Sequence, residues 1–567
     1  MNFKQEIAQA LAEAISAQTG KSIKIEEIAE SIETPPQNMG DLAFPCFKLA
    51  KLMKTSPQRI AENIAASITP PPFIEKVITA GPYLNFAYRP AVFVESVLKA
   101  VKRQGEGYGR SYIGQGQNIV IDYSSPNIAK PFHVGHFRAT IIGNALCRIL
   151  SFIGYNTIGI NHLGDWGTQF GKLIVAYTKW GDAAKVEAEG ISELQRLYVM
   201  YHETAAQDTT LDCEARAWML KMQEGDEEAL GIWRWFVDVS MAEFSRIYEM
   251  LGVHFDHITG ESFYNDKMEA AVQELRHKCL LQESDGAMII NLDSHKLPPC
   301  LILRSDGGTL YHTRDICAAL YRQKTFNFAK ALYVTAMDQS LHFAQLFSVL
   351  EEMGYEWAQN MAHVPFGLVS LESGKLSSRK GHVVLMEELL NEAVARTQSI
   401  IEEKNPNLEN KEHVARQVGI GALVFGDLYN SRIKDTTFSW ERVLSFEGES
   451  GPYVQYTHAR ACSVLAKAGE QCQPAYSLLG DSESLELAKA IHAFGERVQE
   501  AAAKHEPYIL ARNLVDIAQA FNKFYHEHPI LSEAPTLRAA RLQLVEATRQ
   551  VIYTGLRMLG IEAPEKM

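Results

Sequence analysis

The chain has 567 residues, 46% of them hydrophobic and 22% charged, which is typical of a folded protein and too long for a single core, so we expect at least three domains. The formal net charge of −13 argues against a surface that is basic throughout, but it is compatible with a local basic face. The eight cysteines are scattered without a Cys-x-x-Cys pair, which argues against a zinc ribbon and a disulfide framework.

The first 110 residues predict a small, separate α+β domain. Helical patterns cover Phe3–Thr19 and Gln58–Ser67, a turn-rich stretch covers Glu33–Asp41, and Val77–Phe86 has the composition of a strand. The amphipathic start Met1–Gly20 lacks the basic and apolar regions of a signal peptide, and no apolar run reaches membrane-spanning length. We therefore expect a cytoplasmic protein with no membrane partner.

A glycine-rich stretch, Gly105–Gly116, predicts a linker to a second region. From there to about residue 385, apolar strands alternate with helical segments, which predicts a parallel α/β sheet. Helix formers and charges are dense from about Lys185 to Ser245, so we expect a helical insertion at about residues 185–260. Beyond about Glu387 the pattern is almost wholly helical.

Two histidines and a glycine in His133–His136 lie between an apolar strand, Asn118–Ile121, and a helical pattern from about Phe137 to Phe152. The start of a helix offers unpaired N–H groups and a positive dipole end to a phosphate. Gly135 permits close approach of a ligand, and both imidazoles can donate to phosphate oxygens that gain charge in a transition state. Taken alone, the pattern is equally compatible with two histidines that cap the helix or lie half-buried.

A second motif, Gly374–Gly381, follows the predicted strand Val364–Val369. Its lysines, arginine and two serines form a glycine-flanked loop that can close over a triphosphate and offset the charge of a leaving pyrophosphate. Taken alone, the loop is also compatible with an ordinary solvated basic turn.

As a pair, the two motifs resemble the HIGH and KMSKS motifs of class I aminoacyl-tRNA synthetases, matched here by His133–His136 and Lys375–Arg379. Further segments narrow the resemblance. Nearly the whole chain is similar to the arginyl-tRNA synthetases of bacterial type, and the segments that carry this similarity are Asp122–Pro131, Asn161–Gly171, Arg304–Asp315, Gly451–Arg460 and Leu559–Met567.

The resemblance implies a multidomain α/β plus all-α protein. Its parts are a Rossmann-like class I catalytic domain with a helical insertion, a small α+β N-terminal domain and a helical-bundle C-terminal domain. In this chain we expect an N-terminal tRNA-contacting domain at 1–112 and the catalytic domain at 113–385. A helical connection that contacts the tRNA stem would then cover 386–450, and the anticodon-binding domain 451–567.

The resemblance also implies a reaction, the ATP-dependent ligation of L-arginine to tRNA(Arg) through an arginyl-adenylate, with transfer to the 2′-hydroxyl of the terminal adenosine. It implies that tRNA binds before the adenylate forms, that Mg²⁺ accompanies ATP as substrate, that the protein holds no zinc or other metal, and that it is a monomer. Two alternatives remain open: a catalytically inactive RNA-binding paralogue, and a class I nucleotidyl transferase that needs no tRNA.

An arginine substrate requires carboxylates, because the planar guanidinium is best held by bidentate pairing. Asp122 stands at a strand end, and Asp315 lies one helical turn after Tyr311, so both carboxylates are candidates. Asp315 is alternatively a partner of a neighbouring arginine. The resemblance implies that arginine contacts Asp122, Asn127, His133, Tyr311, Asp315 and Gln339.

For the phosphates, the resemblance implies that ATP contacts His133, Gly135, His136 and Lys375. The loop residues Lys375, Ser377, Ser378 and Arg379 would then stabilise the pyrophosphate. The chain departs from the general class at Ser378, which stands where the second lysine of KMSKS is expected. The family often carries a lysine just before the first motif instead, so Lys130 is predicted to share the neutralising role, together with Arg379 and Lys380.

Two further groups of residues have both a functional and a structural interpretation. In Asn161–Gly171, His162 and Gln169 are candidate substrate contacts, while the glycines and Trp166 also suit tight turns and packing. In the helical C-terminal region, basic and aromatic residues are candidates for contacts to RNA by charge and stacking, or for ordinary core positions. They are Arg460, Arg512, Lys523, Phe524 and Tyr525.

Overall fold

The computed structural model describes residues 3–36, 39–371, 374–375, 385–469 and 472–567. The chain forms two compact units. The first comprises residues 1–108, 457–494 and 516–552, and the second comprises residues 109–456, 495–515 and 553–567. Across the described ranges, no helix combines the length and the apolar character needed to cross a membrane.

The N-terminal part of the first unit is an antiparallel sheet with helices. The predicted strand Val77–Phe86 is wrong in detail, because two strands, Ile74–Ala80 and Tyr83–Tyr88, pair antiparallel with a turn at Gly81, whose φ is 58°. Glycine adopts this left-handed conformation without steric cost, which explains the reversal. The third strand is Leu42–Pro45, and the longer helices are Phe3–Thr19, Ile25–Ser31, Pro57–Ser67 and Pro90–Gln104.

The second unit is built on a five-stranded parallel sheet, as the alternating pattern predicts. Its spatial order is Met361–His363, Lys330–Tyr333, Asn118–Asp122, Asn156–Asn161 and His257–Ile258. Every neighbouring pair is parallel. From Asn118–Asp122 the chain adds strands first on one side and then, starting with Lys330–Tyr333, on the other side. The topological switch point, where the direction of winding reverses, therefore lies between these two strands. Ligands of open parallel sheets bind at the carboxyl ends of the strands at such a point.

The predicted helical insertion lies between the strands Asn156–Asn161 and His257–Ile258. The helix Thr168–Trp180 precedes the insertion and begins within the segment Asn161–Gly171. Asp226 caps the longest helix by accepting a hydrogen bond from the backbone of Ala229, which fixes where that helix begins. The insertion helices are Ala183–Glu189, Ile191–Ala205, Thr210–Glu224 and Glu227–Leu251.

Two small sheets were not anticipated from the sequence. One is antiparallel and consists of Gln282–Ser284, Ala287–Ile290 and Cys300–Leu303. The other joins Val369–Leu371 to Gly374–Lys375 and to Thr436–Phe438. The predicted strand Val364–Val369 is therefore wrong, because residues 364–368 form only an isolated bridge, from Phe366 to Ala336, between two real strands.

The remaining helices of the described chain support the sheet or form the C-terminal part. Met386–Lys404 follows the second motif, and three helices precede it: Met268–His277, Tyr311–Phe326 and Ser340–Glu352. The C-terminal part is helical as predicted, apart from the short strand Thr436–Phe438. Its main helices are Lys411–Leu428, Gly451–Ala466, Ser482–Lys504, Tyr508–Glu527 and Pro535–Met558.

The helix Val134–Phe152 packs so closely on the sheet that it needs a glycine at its contact point. A Cβ atom at Gly143 would lie 2.2 Å from the ring of the buried Tyr123. Gly143→Ala is therefore expected to lower the free energy of unfolding by about 1–3 kcal/mol, because the interior must shift to accept the methyl group. Urea unfolding followed by circular dichroism measures this change.

The matched control is Gly231→Ala, at an exposed position in the second turn of the helix Glu227–Leu251. A Cβ atom there would meet nothing within 4 Å. This substitution is expected to raise the free energy of unfolding by about 0.5–1 kcal/mol, because alanine loses less backbone entropy than glycine. A Gly143→Ala protein as stable as the Gly231→Ala protein would contradict the close packing.

Candidate active site

The helix Val134–Phe152 starts in a pair of histidines that cap it. The Nδ1 atom of His133 accepts a hydrogen bond from the backbone N–H of Gly135 at 3.1 Å, and Nδ1 of His136 accepts one from the backbone N–H of His133 at 3.3 Å. A backbone N–H can only donate, so both Nδ1 atoms are unprotonated. In the neutral rings the proton is therefore on Nε2, which leaves two Nε2–H donors free of the cap.

Both rings are held in the neutral form. Burial, together with the neighbouring charges of His133 and Lys130, lowers the pKa of His136 to about 3. Burial and the charge of Lys130 also lower the pKa of His133. The two rings stack with their centroids 3.9 Å apart. The helix start thus presents fixed, uncharged N–H donors, which suit an oxyanion whose charge grows during a reaction.

Residues from distant parts of the chain meet at the carboxyl ends of the parallel strands around one cavity of about 1210 Å³. The strands Asn118–Asp122 and Lys330–Tyr333, which flank the switch point, both end at its wall. Nine of the candidate residues from the sequence line this cavity: Asp122, Asn127, His133, Gly135, His136, His162, Tyr311, Asp315 and Gln339.

The other predicted residues are not among those that line this cavity in the described part of the chain. Among the described residues, Lys130 is exposed and, like Gln169, does not line the cavity. Lys375 pairs through its backbone with Ser370 in the short hairpin. The predicted loop residues Ser377, Ser378, Arg379 and Lys380 lie outside the described residues.

The carboxylate of Asp122 reaches the cavity with partners of its own. Its Oδ2 atom lies 2.8 Å from Nη2 of Arg322, and its Oδ1 accepts a hydrogen bond from the Ser125 hydroxyl at 2.9 Å. Asp122 is 6% exposed and Arg322 only 1%, so each charge depends on the other for compensation. This internal guanidinium, which no pattern in the sequence indicates, balances the charge of Asp122 before any substrate binds.

The carboxylate of Asp315 has a different environment. Its Oδ2 atom lies 2.6 Å from Nε2 of His342, and its Oδ1 lies 4.0 Å from Nε2 of His162. The hydrogen-bond partner is thus a histidine and not the neighbouring arginine that the alternative interpretation proposed. Tyr311 is 67% exposed at the start of the same helix, four residues from Asp315, and both line the cavity.

The loop between the strand Asn118–Asp122 and His133 has an unusual backbone. Ser124, Ser125 and Ala129 all have positive φ values, of 72°, 50° and 60°. Such conformations cost free energy in residues other than glycine and persist where the surroundings hold them. Here Asn161 and Ser240 do so, by accepting hydrogen bonds from the backbone N–H groups of Ser125 and Ala129.

The segment Asn161–Gly171 makes several contacts that are structural. Asn161 is fully buried, and Asp165 accepts hydrogen bonds from the backbone N–H and the hydroxyl of Ser262 at 2.8 and 2.6 Å. His162, a candidate substrate contact, and Gly164 are the described members of the segment that line the cavity. Its Nδ1 lies 3.1 Å from the backbone oxygen of Thr259, and burial lowers its pKa.

Sequence reasoning missed several residues that line the cavity. Thr335 and Ala336 follow the strand Lys330–Tyr333, and His342 lies in the next helix. The signal that finds the first two is their position just past a strand in a parallel sheet, since such positions converge on one edge. Glu261 lies far from both motifs in sequence, and no pattern around it marks it.

Glu261 provides a test of the electrostatics of this wall. Its Oε2 lies 3.4 Å from Nη1 of Arg314, yet burial dominates and raises the pKa of Glu261 to about 7 from the ordinary value of 4.5. Between these two values the folded protein binds the proton more readily than the unfolded chain. Stability contributed by this group is therefore present at pH 4.5 and is lost as the pH rises to about 7.

We expect Glu261→Gln to remove this dependence. Relative to wild type, the free energy of unfolding of the variant should rise by on the order of 2 kcal/mol between pH 5 and pH 8. Urea unfolding at both pH values measures the difference, and Glu283→Gln, at an exposed strand position, is the control that should show no such change. A Glu261→Gln protein that follows wild type at both pH values would refute the raised pKa.

The C-terminal residues that were candidates for RNA contacts divide into exposed and buried positions. Phe524 is fully buried, which supports the core position that was one of its two interpretations. Tyr525 is 40% exposed, with the guanidinium of Arg460 5.2 Å from its ring centre. Lys523 forms an ion pair with Glu486 at 2.9 Å, and Arg512 lies over the rings of Tyr429 and Tyr508.

Three family models match consecutive parts of the chain. The model described as tRNA synthetases class I (R), catalytic domain, matches residues 97–440. The DALR anticodon binding domain matches residues 454–567, and the arginyl tRNA synthetase N terminal domain matches residues 1–88.

Similar proteins agree with these matches. The arginine–tRNA ligase of Alkaliphilus metalliredigens is 53% identical, and that of Clostridioides difficile 51%, in both cases over 100% of each chain. The solved structure of Thermus thermophilus arginyl-tRNA synthetase covers 99% of this chain and is itself covered to 99%, with a TM-score of 0.82 and 27% identity.

The parallel sheet, its switch-point cavity and the capping histidines, with the matched catalytic domain, define a class I tRNA synthetase. The match of all three domains and the full-length relatives narrow the class further. The chain belongs to the arginyl-tRNA synthetase family.

Proposed function

We propose that the protein attaches L-arginine to tRNA(Arg) with the energy of ATP. The observation that carries the proposal is the composition of the cavity, which combines the neutral histidine pair at a helix start with the carboxylate of Asp315. The first feature suits a phosphate, and the second suits a guanidinium. One cavity thus has a binding group for each of the two small substrates, and membership in the family supports the same assignment.

For the amino acid, we propose that Asp315 pairs with the substrate guanidinium and that Tyr311 lies alongside it. Asn127, Gln339 and His133 are proposed to orient the rest of the substrate, as the family resemblance implies. Asp122 is proposed to contribute as an ion pair with Arg322, so that this part of the wall carries a balanced charge. The ammonium group of a lysine substrate is a point charge and cannot form the two parallel hydrogen bonds that a planar guanidinium forms with a carboxylate. Binding of lysine is therefore disfavoured.

In the first step, one carboxylate oxygen of arginine attacks the α-phosphorus of ATP in line. The bond from that phosphorus to the bridging oxygen of the β-phosphate breaks, and arginyl-adenylate and pyrophosphate result. We propose that the Nε2–H groups of His133 and His136 donate to the phosphate oxygens as their charge grows, and that Gly135 lets the phosphates approach the backbone. Lys375, Ser377, Ser378, Arg379 and Lys130 are proposed to offset the charge of the pyrophosphate, whose Mg²⁺ arrives with ATP.

In the second step, the 2′-hydroxyl of the terminal adenosine of tRNA attacks the carbonyl carbon of the adenylate. An ester to arginine forms, AMP leaves with the electrons of the mixed-anhydride bond, and the hydroxyl proton is lost to solvent or to the departing phosphate. We propose that the tRNA is held by the domain at 451–567, by the helical connection at 386–450 and by the domain at 1–112. The matched anticodon-binding and N-terminal family models support the assignments of 451–567 and 1–112.

We further propose that the catalytic domain covers 113–385, that the protein acts as a monomer in the cytoplasm, and that it holds no metal of its own. Arginine-dependent exchange of labelled pyrophosphate into ATP, with and without tRNA(Arg), tests the proposed order of binding. Exchange that requires both arginine and tRNA is expected. Exchange without tRNA would show a nucleotidyl transferase that does not need RNA, and no exchange by the folded protein would favour an inactive RNA-binding paralogue.

A further inference from the structure

Asp315 is held in place by a hydrogen bond from the next helix in the chain. Its Oδ2 atom lies 2.6 Å from Nε2 of His342, which sits in the first turn of the helix Ser340–Glu352. A carboxylate that has lost its proton can only accept, so Nε2 of His342 carries the proton in this contact. The bond fixes the rotation of the Asp315 carboxylate about its Cβ–Cγ bond.

His342 is itself restrained by aromatic neighbours. Its ring centroid lies 4.2 Å from that of His312, and the ring of Phe343 stands nearly perpendicular to it at 5.3 Å. Burial, with the neighbouring His342, lowers the pKa of His312 to about 4, so His312 stays uncharged at neutral pH. These ring contacts restrain the His342 imidazole, so that its Nε2 stays beside Asp315.

The same contact affects the charge of Asp315. Burial disfavours the ionised carboxylate, but the hydrogen bond and charge of His342, with contributions from His162 and Arg322, more than offset it, so the pKa of Asp315 lies below its ordinary value. The Oδ1 atom is 4.0 Å from His162, too far for a hydrogen bond, and remains available to a ligand. Because each carboxylate oxygen has two acceptor sites, Oδ2 is anchored by His342 and can still accept one more hydrogen bond from a ligand beside Oδ1.

We infer that His342 is a positioning residue for the amino acid, which holds the plane of the Asp315 carboxylate in the orientation that a guanidinium fork requires. A bidentate contact uses two parallel N–H···O bonds, so its strength depends on the carboxylate plane as well as on its charge. His342 acts through Asp315 and not on the phosphates. The inference rests on the proposed function, since it assumes that the bound amino acid is arginine.

Two amide substitutions test the geometry of this contact. In His342→Gln the amide nitrogen takes roughly the place of Nε2, whereas in His342→Asn it takes roughly the place of Nδ1 and cannot reach Asp315. With the full-length protein and tRNA(Arg), we expect His342→Asn and His342→Leu to raise the KM for arginine about tenfold or more, with the KM for ATP within about twofold of wild type. His342→Gln should recover most of the affinity for arginine.

The matched control is His295→Leu. His295 is 25% exposed against 23% for His342, and its Nε2 also lies 3.0 Å from a carboxylate, that of Glu352, but it does not line the cavity. This variant should keep both KM values. Equilibrium dialysis with labelled arginine gives the binding constant directly, and thermal unfolding shows that each variant is folded.

The outcomes separate the two proposals. If wild type attaches no arginine to tRNA, the proposed function fails. If wild type does so and His342→Asn keeps the wild-type KM for arginine, the inference alone is overturned. It is also overturned if His342→Gln and His342→Asn lose affinity equally, or if the KM for ATP rises together with that for arginine, because a general structural role would produce those results.

Discussion

We expect the replacement of Asp315 by asparagine to lower kcat/KM for arginine about 100-fold or more. The substitution keeps the size of the side chain and removes its charge, so the guanidinium of the substrate would be left in the cavity without its proposed partner. Loss of one member of a hydrogen-bonded charge pair away from water costs several kcal/mol, about 2–5, which corresponds to this loss in rate. Steady-state aminoacylation with varied arginine measures it.

The control for this prediction is Asp285→Asn. Asp285 lies at the exposed turn between the strands Gln282–Ser284 and Ala287–Ile290 with a φ of 52°, a conformation that asparagine tolerates well. This variant should stay within about twofold of wild type. An Asp315→Asn enzyme with wild-type affinity for arginine would show that the guanidinium binds elsewhere, with Asp122 as the next carboxylate to examine.

Replacing His136 by alanine lowers kcat for adenylate formation by about 100- to 1,000-fold, the second large effect that we expect. The substitution removes an Nε2–H donor that is fixed by the helix cap, and loss of one such donor to a developing oxyanion typically has this effect. The KM for ATP should change less than kcat, because the contact strengthens as the charge grows in the transition state. Pyrophosphate exchange in the presence of tRNA measures both constants.

The pH dependence makes this second prediction more specific. Because the pKa of His136 is lowered to about 3, the ring stays neutral between pH 6 and pH 8, and the ratio of wild-type to variant kcat should be the same at both values. His277→Ala, at an exposed helix end, serves as the control with unchanged rates. If the ratio of wild-type to variant kcat grew tenfold between pH 8 and pH 6, the protonated form of His136 would be the one that promotes adenylate formation.

The parts of the fold that could be predicted from sequence are those with a strong local signal. The strand before His133, the helix after it and the helical insertion were all found, because apolar spacing over many residues marks them. The short strands Val369–Leu371 and Thr436–Phe438 were not found, because three residues are too few to show an alternation of apolar and polar side chains. The reversal at Gly81 was missed because the residues on both sides of it read as one run of strand formers.

The candidate site shows the same division between local and tertiary information. His133 and Asp315 were identified from motifs within single segments, and both line the cavity. The partners of the two candidate carboxylates were not identified, because Arg322 reaches Asp122, and His342 reaches Asp315, from other elements of the fold. The pairing of Asp122 with Arg322 spans 200 residues of chain, and no pattern of composition or spacing reports such a contact.

The most direct test of this account is the transfer of labelled amino acid to tRNA by the purified, full-length protein with ATP and Mg²⁺. With tRNA(Arg), labelled arginine should become acid-precipitable and labelled lysine should not, and omission of ATP should abolish the signal. Folded protein that charges tRNA with lysine as readily as with arginine, or that charges it with neither, would contradict the assignment of the cavity to a guanidinium substrate.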